Sequence, residues 1–172
     1  KNLSAYPTAG ANGGPGGACT IGSAAMNGVG TMEPTESQMR VFLATDQTSP
    51  VVFVNCHRYF TEARYPADFS DERYPVNVSG CEAYHRYLEE VASKFVPQVG
   101  GRLLLAGPVD MIFIGDGHWD EIVISQYPSK LAAMRVPTLP GYAEIAVHRK
   151  AGLEVAQTMV LSLQAFLINT VS

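Results

Sequence analysis

The residues of this chain best suited to moving protons are its four histidines, His57, His85, His118 and His148, because an imidazole titrates near neutral pH. His57 is the leading candidate for a general base. It ends an alternating run, Val51–Arg58, in which Phe53, Asn55 and His57 share one face and Val52, Val54, Cys56 and Arg58 the other. The polar end of such a strand leaves the core and offers side chains to a pocket, with Asn55 beside His57 as a substrate contact. Tyr84 lies one turn into a helix whose apolar stripe faces the same strand, and its phenol can hold a carbonyl or an enolate. Two plainer readings stay open: His57 bonds only the loop that follows, and Tyr84 packs as core with its hydroxyl satisfied by backbone.

Further candidates for substrate binding are Arg58, Arg64 and Arg73, since a guanidinium fork suits a carboxylate. Ion pairs with Glu62, Asp68, Asp71 or Glu72 would occupy them equally well. His118-Trp119 follows a tight turn at the rim, and Tyr142 follows Pro140-Gly141, where a side chain can wall a pocket. No two histidines stand at i,i+4 on one helix, so the spacing points to no metal site. Cys56 and His57 are adjacent in a strand and therefore point to opposite faces, which rules out a Cys-His dyad. No nucleophile elbow is present.

These groups are positioned by six elements in the order β-α-β-β-α-β. The first strand is Val51–Arg58. The first helix spans Ser79–Val96, with Ser79 and Glu82 as a capping box and Cys81, Tyr84, Leu88, Val91 and Phe95 at helical spacing. Pro97 and Gly100-Gly101 end it. Arg102–Ile114 reads as a long strand bent at Gly107-Pro108, and a Gly115-Asp116-Gly117 turn leads to the strand Ile122–Tyr127. Prolines 137 and 140 divide the second helical region into Ser129–Arg135 and Gly141–Lys150. Thr158–Phe166 closes the unit as a half-buried strand. That order predicts an α+β, ferredoxin-like βαββαβ fold with a four-stranded antiparallel sheet, an architecture that hosts many functions.

Between the first strand and first helix lies an insertion, residues 59–78, holding Arg64-Tyr65-Pro66 and Arg73-Tyr74-Pro75. It reads either as a lid, binding loop or dimer contact, or as a solvated loop pinned by tyrosine packing. Met39–Ala44 is an apolar piece that fits an edge strand or a helical turn. Eight of the 16 glycines fall in residues 1–31, so residues 1–38 are expected to be a Gly-rich leader or an arm that packs on a partner, and residues 39–172 the folded domain. Gly10–Gly17 is no phosphate loop, because no Gly-Lys-Ser/Thr follows.

The formal net charge of -4 comes without any basic cluster, so no nucleic-acid footprint is expected. No apolar run reaches the roughly 18 residues of a membrane span. Three scattered cysteines without a C-x-x-C suit a reducing compartment, and a cytoplasmic location is expected.

The ordered set Val51-Val52-Phe53-Val54-Asn55, Tyr84 with Tyr87, Val99-Gly100-Gly101-Arg102, Gly117-His118-Trp119-Asp120, Gln126-Tyr127-Pro128-Ser129 and Pro140-Gly141-Tyr142 resembles the dimeric α+β barrel superfamily. The nearest branch is the one described as a domain of unknown function, and the resemblance covers about residues 50–166. It implies a homodimer in which two sheets face each other, with a cleft between each sheet and its own helices. Relatives of that architecture include cofactor-free monooxygenases, polyketide cyclases, muconolactone isomerases and haem-degrading or chlorite-splitting enzymes. The arm, the insertion and the broken second helix depart from the shortest members, so no substrate carries across.

Two functions are expected on this footing. One is a small-molecule enzyme with no organic cofactor, a cyclase, isomerase, lyase or monooxygenase acting on a carbonyl or carboxylate compound. In it His57 and Tyr84 are catalytic, and Asn55, Arg58, Arg73, His118, Trp119 and Tyr142 contact substrate. The alternative is a non-catalytic dimeric module that binds a ligand or partner. A haem role would rest on His148, which Arg149 and Lys150 place at a solvated helix end.

Overall fold

Four strands pair antiparallel in the order β2-β3-β1-β4, the order a ferredoxin-like βαββαβ chain produces. The computed structural model describes residues 32–162, and the arm reading of residues 1–31 lies outside them. The elements are α1 (Glu36–Ala44), β1 (Val51–Tyr59), α2 (Gly80–Glu90), a π turn (Val91–Phe95) running into α3 (Val96–Gln98), β2 (Arg102–Pro108), β3 (Glu121–Tyr127), α4 (Lys130–Arg135), α5 (Tyr142–Gly152) and β4 (Leu153–Ser162). Met39–Ala44 thus belongs to a helix, started by a capping box between Thr35 and Gln38.

Ser79 caps α2 by accepting the Glu82 amide at 3.1 Å, a contact worth about 1 kcal/mol. Only that half of the expected box forms, because the Glu82 carboxylate turns outward to Arg86 at 2.9 Å. The helix widens at Val91–Phe95, where the Val96 amide reaches back to the Val91 carbonyl, just ahead of Pro97, which has no amide to donate. Gly100, at φ 74, ends α3: its amide bonds Pro97 and the Gly101 amide bonds Val96, both at 3.0 Å, which is a Schellman stop.

Residues at odd positions of β1 face the helices and those at even positions face away. Phe53 meets Tyr127 edge to face with ring centroids 5.5 Å apart, and His57 meets Tyr84. The helix-covered side holds two core clusters, one around Val91, Phe95, Val96, Val99 and Val136, the other around Tyr84, Val123 and Leu153. On the opposite face the register lines up Leu105, Ile124, Val54 and Met159 as one apolar row across all four strands. Leu105 and Met159 are 55% and 43% exposed.

Two expectations about strands change. β2 stops at Pro108 instead of Ile114, since a proline cannot donate to the ladder, and residues 109–120 form the connection. β4 begins at Leu153, directly after α5, and is described to Ser162. The last residues of the expected strand, 163–166, lie outside the described region.

Helices α2 and α5 cross at two glycines. A Cβ on Gly152 would stand 2.4 Å from the Gly80 carbonyl oxygen and 2.7 Å from the Tyr84 amide. Close backbone approach there is open only to glycine. It brings the start of α2, and with it Tyr84, onto the end of β1.

Candidate functional site

His57 and Tyr84 form the centre of the seam between sheet and helices. Their ring centroids are 4.6 Å apart with planes inclined by 57°, and each residue is only 3% exposed. Burial, aided by the nearby Arg149 charge, lowers the His57 pKa from 6.5 to about 4, so its imidazole is neutral at physiological pH. The Nδ1 atom of His57 is buried and has no hydrogen-bond partner. Burial likewise raises the Tyr84 phenol above its usual range, with Arg149 opposing the rise. An aromatic chain continues away from this pair: Tyr84 to Tyr87 at 5.7 Å, then Tyr87 to Tyr142, whose hydroxyls lie 3.0 Å apart.

A second constellation adjoins the first. Glu121 opens β3 and points to the helix side, as Val123 and Ser125 do further along the strand. It is 7% exposed, and a buried carboxylate needs donors. Two are supplied. The Tyr59 hydroxyl donates to Glu121 Oε2, and His85 Nε2 lies 3.2 and 3.3 Å from its two oxygens. The Tyr59 and Tyr84 rings are 5.5 Å apart, which joins this set to the His57 pair. The end of β1 is clamped by Asp120, whose amide donates to the His57 carbonyl at 2.8 Å and whose carboxylate accepts the Tyr59 amide at 2.7 Å. With a side chain 44% exposed, His85 connects the buried carboxylate to solvent.

The other expected site residues are dispersed. Asn55 donates to the Val123 carbonyl at 3.1 Å and accepts from Thr158 at 2.9 Å, so the sheet itself engages its amide. Arg58 lies on the opposite strand face and pairs with Glu154 at 2.9 Å. Arg73 is exposed on the insertion and pairs with Asp71 at 2.6 Å. His118 is exposed at the rim, 3.1 Å from Asp120, and Trp119 is half-buried next to it. Tyr142 packs edge to face on Phe95 with centroids 5.8 Å apart. Of these, only Tyr142 touches the aromatic chain running from His57.

His148 corrects the expected solvated helix end, for it is 3% exposed. The insertion folds back over α5, placing Tyr65, Phe69 and Tyr74 around the imidazole with centroids 5.6, 5.7 and 4.6 Å away. The Tyr65 hydroxyl bonds His148 Nδ1 at 2.8 Å, and Arg86 donates to that hydroxyl at 3.2 Å. Tyrosine packing therefore pins the insertion on its own helices. Beside it runs an open groove of about 480 Å³ lined by Phe69, Tyr74 and Ile145 together with paired charges.

Tyr59 and Glu121 were not singled out by their types, and His85 was named only as one of the four histidines. The available signal was positional: Tyr59 shares the face of His57, and Glu121 shares that of Val123 and Ser125. Pairing them required the β1–β3 register, in which His57 stands opposite Glu121. Among the described residues no group of His, Cys, Asp and Glu is arranged to hold a metal ion, and no helix is long and apolar enough to cross a membrane.

Similarity to known proteins agrees with this architecture. A Rhodopseudomonas palustris protein of unknown function is 28% identical, with a TM-score of 0.65 over 79% of this chain and 98% of its own. The structure of that protein in methylated form gives 27% identity and a TM-score of 0.67 over 80% and 97%. A cofactor-independent oxygenase from Streptomyces nogalater is 14% identical with a TM-score of 0.41 over 70% and 98%, too loose a likeness to carry a role across. No curated protein matches the chain. The model of one family covers residues 74–163, more than half of the sequence and three of the four strands. The chain belongs to that family, described as a domain of unknown function (DUF1330), and its four-stranded antiparallel sheet has the ferredoxin-like order.

Proposed function

We propose that this chain forms a homodimer through its open sheet face. Each subunit binds a small carbonyl or carboxylate compound at the seam between sheet and helices and transfers a proton on it without an organic cofactor. His85 serves as the base, oriented by Glu121, and the closed His57–Tyr84 pair backs it on the inner side of the seam. The observation that carries this reading is the nearly buried Glu121 carboxylate held between the Tyr59 phenol and a half-exposed imidazole. A carboxylate bonded to one imidazole nitrogen fixes the ring and leaves the other nitrogen to take up a proton. The geometry supports His85 over His57 as the base because a sealed imidazole with a pKa of about 4 is a weak acceptor that water and substrate do not reach. Support for the dimer comes from the apolar row Leu105, Ile124, Val54 and Met159, which a second sheet would remove from water. The two described cysteines are free thiols, as suits a cytoplasmic protein.

A second reading, a binding module without chemistry, is favoured by the tight closure of the seam, since aromatic rings fill the space around His57. Proton exchange separates the two. Pyruvate and methyl pyruvate are incubated with the protein in D₂O, and loss of the methyl signal is followed by proton NMR. Exchange at least roughly tenfold above buffer, lost in His85→Gln and in Glu121→Gln, is expected. Exchange equal to buffer for both compounds would overturn the enzymatic reading and leave the binding module.

A further inference from the structure

The connection between β2 and β3 carries the most exposed apolar segment among the described residues. Met111 is 67% exposed, Phe113 and Ile114 are each 85% exposed, and Ile112 between them is open as well. At roughly 200 Å² per large side chain, these four present on the order of 500 Å² of apolar surface, a size at which an exposed patch marks an interaction site. Leu104 and Leu105 are open too, on the edge strand β2 just ahead of it, where the register slips by one residue.

The segment has the composition of a strand without being one. Val109-Asp110-Met111-Ile112-Phe113-Ile114 is rich in β-branched and aromatic residues, yet residues 109–120 form an irregular connection. The hairpin itself explains why. Pro108 stands opposite Glu121, and the Val109 amide bonds the Asp120 carbonyl at 3.0 Å, one step further out. Beyond that step the chain leaves through residues 110–114 and turns at Gly115 and Gly117, at φ 92 and 137. Only His118 and Trp119 are then left for the return. Two residues cannot pair five, so the strand this sequence favours needs a partner from outside its own hairpin.

We propose that this partner is the same segment of a second copy, so that residues 110–114 become a strand only in the dimer, paired antiparallel across its two-fold axis. This rests on the dimer proposed above and adds to it a point of contact separate from the sheet face. A two-fold contact joins one patch to itself, and this patch is self-complementary. Centred on Ile112, the pairing sets Met111 against the partner's Phe113, a favourable sulfur–aromatic pair. It sets Asp110 against the partner's Ile114, so the two carboxylates stay apart. The outer edge of β2 is the poorer place for a second copy to add, because the bulge at Leu104 and the missing amide of Pro108 interrupt it. A membrane is the poorer occupant: Asp110 and Asp116 flank the apolar residues and the chain has a net charge of -4, which anionic headgroups repel.

Hydrogen exchange of the native chain, followed by mass spectrometry from dilute to concentrated solution, tests this. Amides 110–114 are expected to gain roughly tenfold or more protection as the dimer forms. Ile112→Cys should give a disulfide-linked dimer under mild oxidation that the native chain, with its own three cysteines, does not give. Ile112→Pro removes the central amide and should raise the dimer's Kd roughly tenfold or more, while the monomer stays folded because the segment is exposed in it. Because exchange is read on the unaltered chain, a variant that misfolds does not remove the test. A dimer whose 110–114 amides exchange as fast as in the monomer would overturn the strand and spare the sheet-face interface. Protection already complete in the monomer, or appearing only with phosphatidylcholine vesicles, would overturn the second copy as the partner. A chain that stays monomeric at every concentration would remove the strand and the sheet-face interface together.

Discussion

The His57 imidazole packs on the Tyr84 ring at 4.6 Å between centroids, and both side chains are withdrawn from water. A strand end and a helix stripe separated by the whole 59–78 insertion thus meet at one point. The arrangement explains why His57 is held neutral: the charged form would lie among aromatic rings and near Arg149.

Acid should therefore loosen the fold through this residue. The folded-state pKa of about 4 lies below the 6.5 of an unconstrained imidazole, so between those values the unfolded chain binds more protons and stability rises with pH. The contribution is complete above pH 6.5 and is lost as pH falls toward 4. His148, lowered first by burial and then by Arg86, acts in the same direction. Urea unfolding at pH 7 and pH 5 should show a loss of about 2 kcal/mol attributable to His57, and His57→Leu should lack that part. A pH dependence unchanged in the variant would refute the buried neutral state.

Glu121 is expected to matter to stability as well as to chemistry. Replacing it with alanine strips the acceptor from the part-buried Tyr59 hydroxyl, at a cost of about 1–3 kcal/mol. Glu121→Gln keeps an acceptor oxygen and should lose less than half of that. Denaturation of the two variants side by side checks the difference. Equal losses would mean that the carboxylate charge, not the phenol's need for an acceptor, governs the site's stability.

Much of the fold was legible because alternation and punctuation are local signals. Val51–Arg58 reveals its faces through period-two patterning, Ile122–Tyr127 is found within one residue of its observed start, and Pro140-Gly141 marks the start of α5 within one residue. β2 was overread because Val109–Ile114 is as apolar as a strand, yet the chain leaves the sheet at Pro108. The candidate site was half legible. His57 and Tyr84 could be matched because each lies on an apolar face. His85 and Glu121 could not, because they are brought together by a strand register and a helix distant in sequence. His148 looked solvated beside Arg149 and Lys150, and only the insertion folding over it decides otherwise.

The open sheet face gives a prediction about assembly. Ile124 and Val54 stand at the middle of its apolar row, flanked by Leu105 and Met159. A lysine at position 54 would place an unpaired charge in the centre of a sheet-on-sheet interface, where charged groups are depleted. Light scattering after gel filtration should report a dimer for the native chain and a monomer for Val54→Lys. A native chain that elutes as a monomer at all concentrations would remove the face from consideration as an interface.

Gly152→Ala tests whether the helix crossing sets the seam. The added methyl would sit 2.4 Å from the Gly80 carbonyl oxygen, 2.7 Å from the Tyr84 amide and 2.9 Å from the Tyr84 Cβ. Two of these are backbone atoms that no rotamer change can move. The backbone is further tied by the Phe60 amide to the Gly152 carbonyl at 2.9 Å and the Gly80 amide to the Phe60 carbonyl at 3.0 Å, so relief requires α2 and α5 to part. Overpacking of this kind costs about 1–3 kcal/mol, and parting the helices draws Tyr84 off His57. The variant should unfold at lower urea, and its His57 ring nitrogens should titrate closer to 6.5, the ordinary imidazole value. Loss of stability with an unshifted His57 titration would show that the crossing supports the fold but does not hold the imidazole and phenol together.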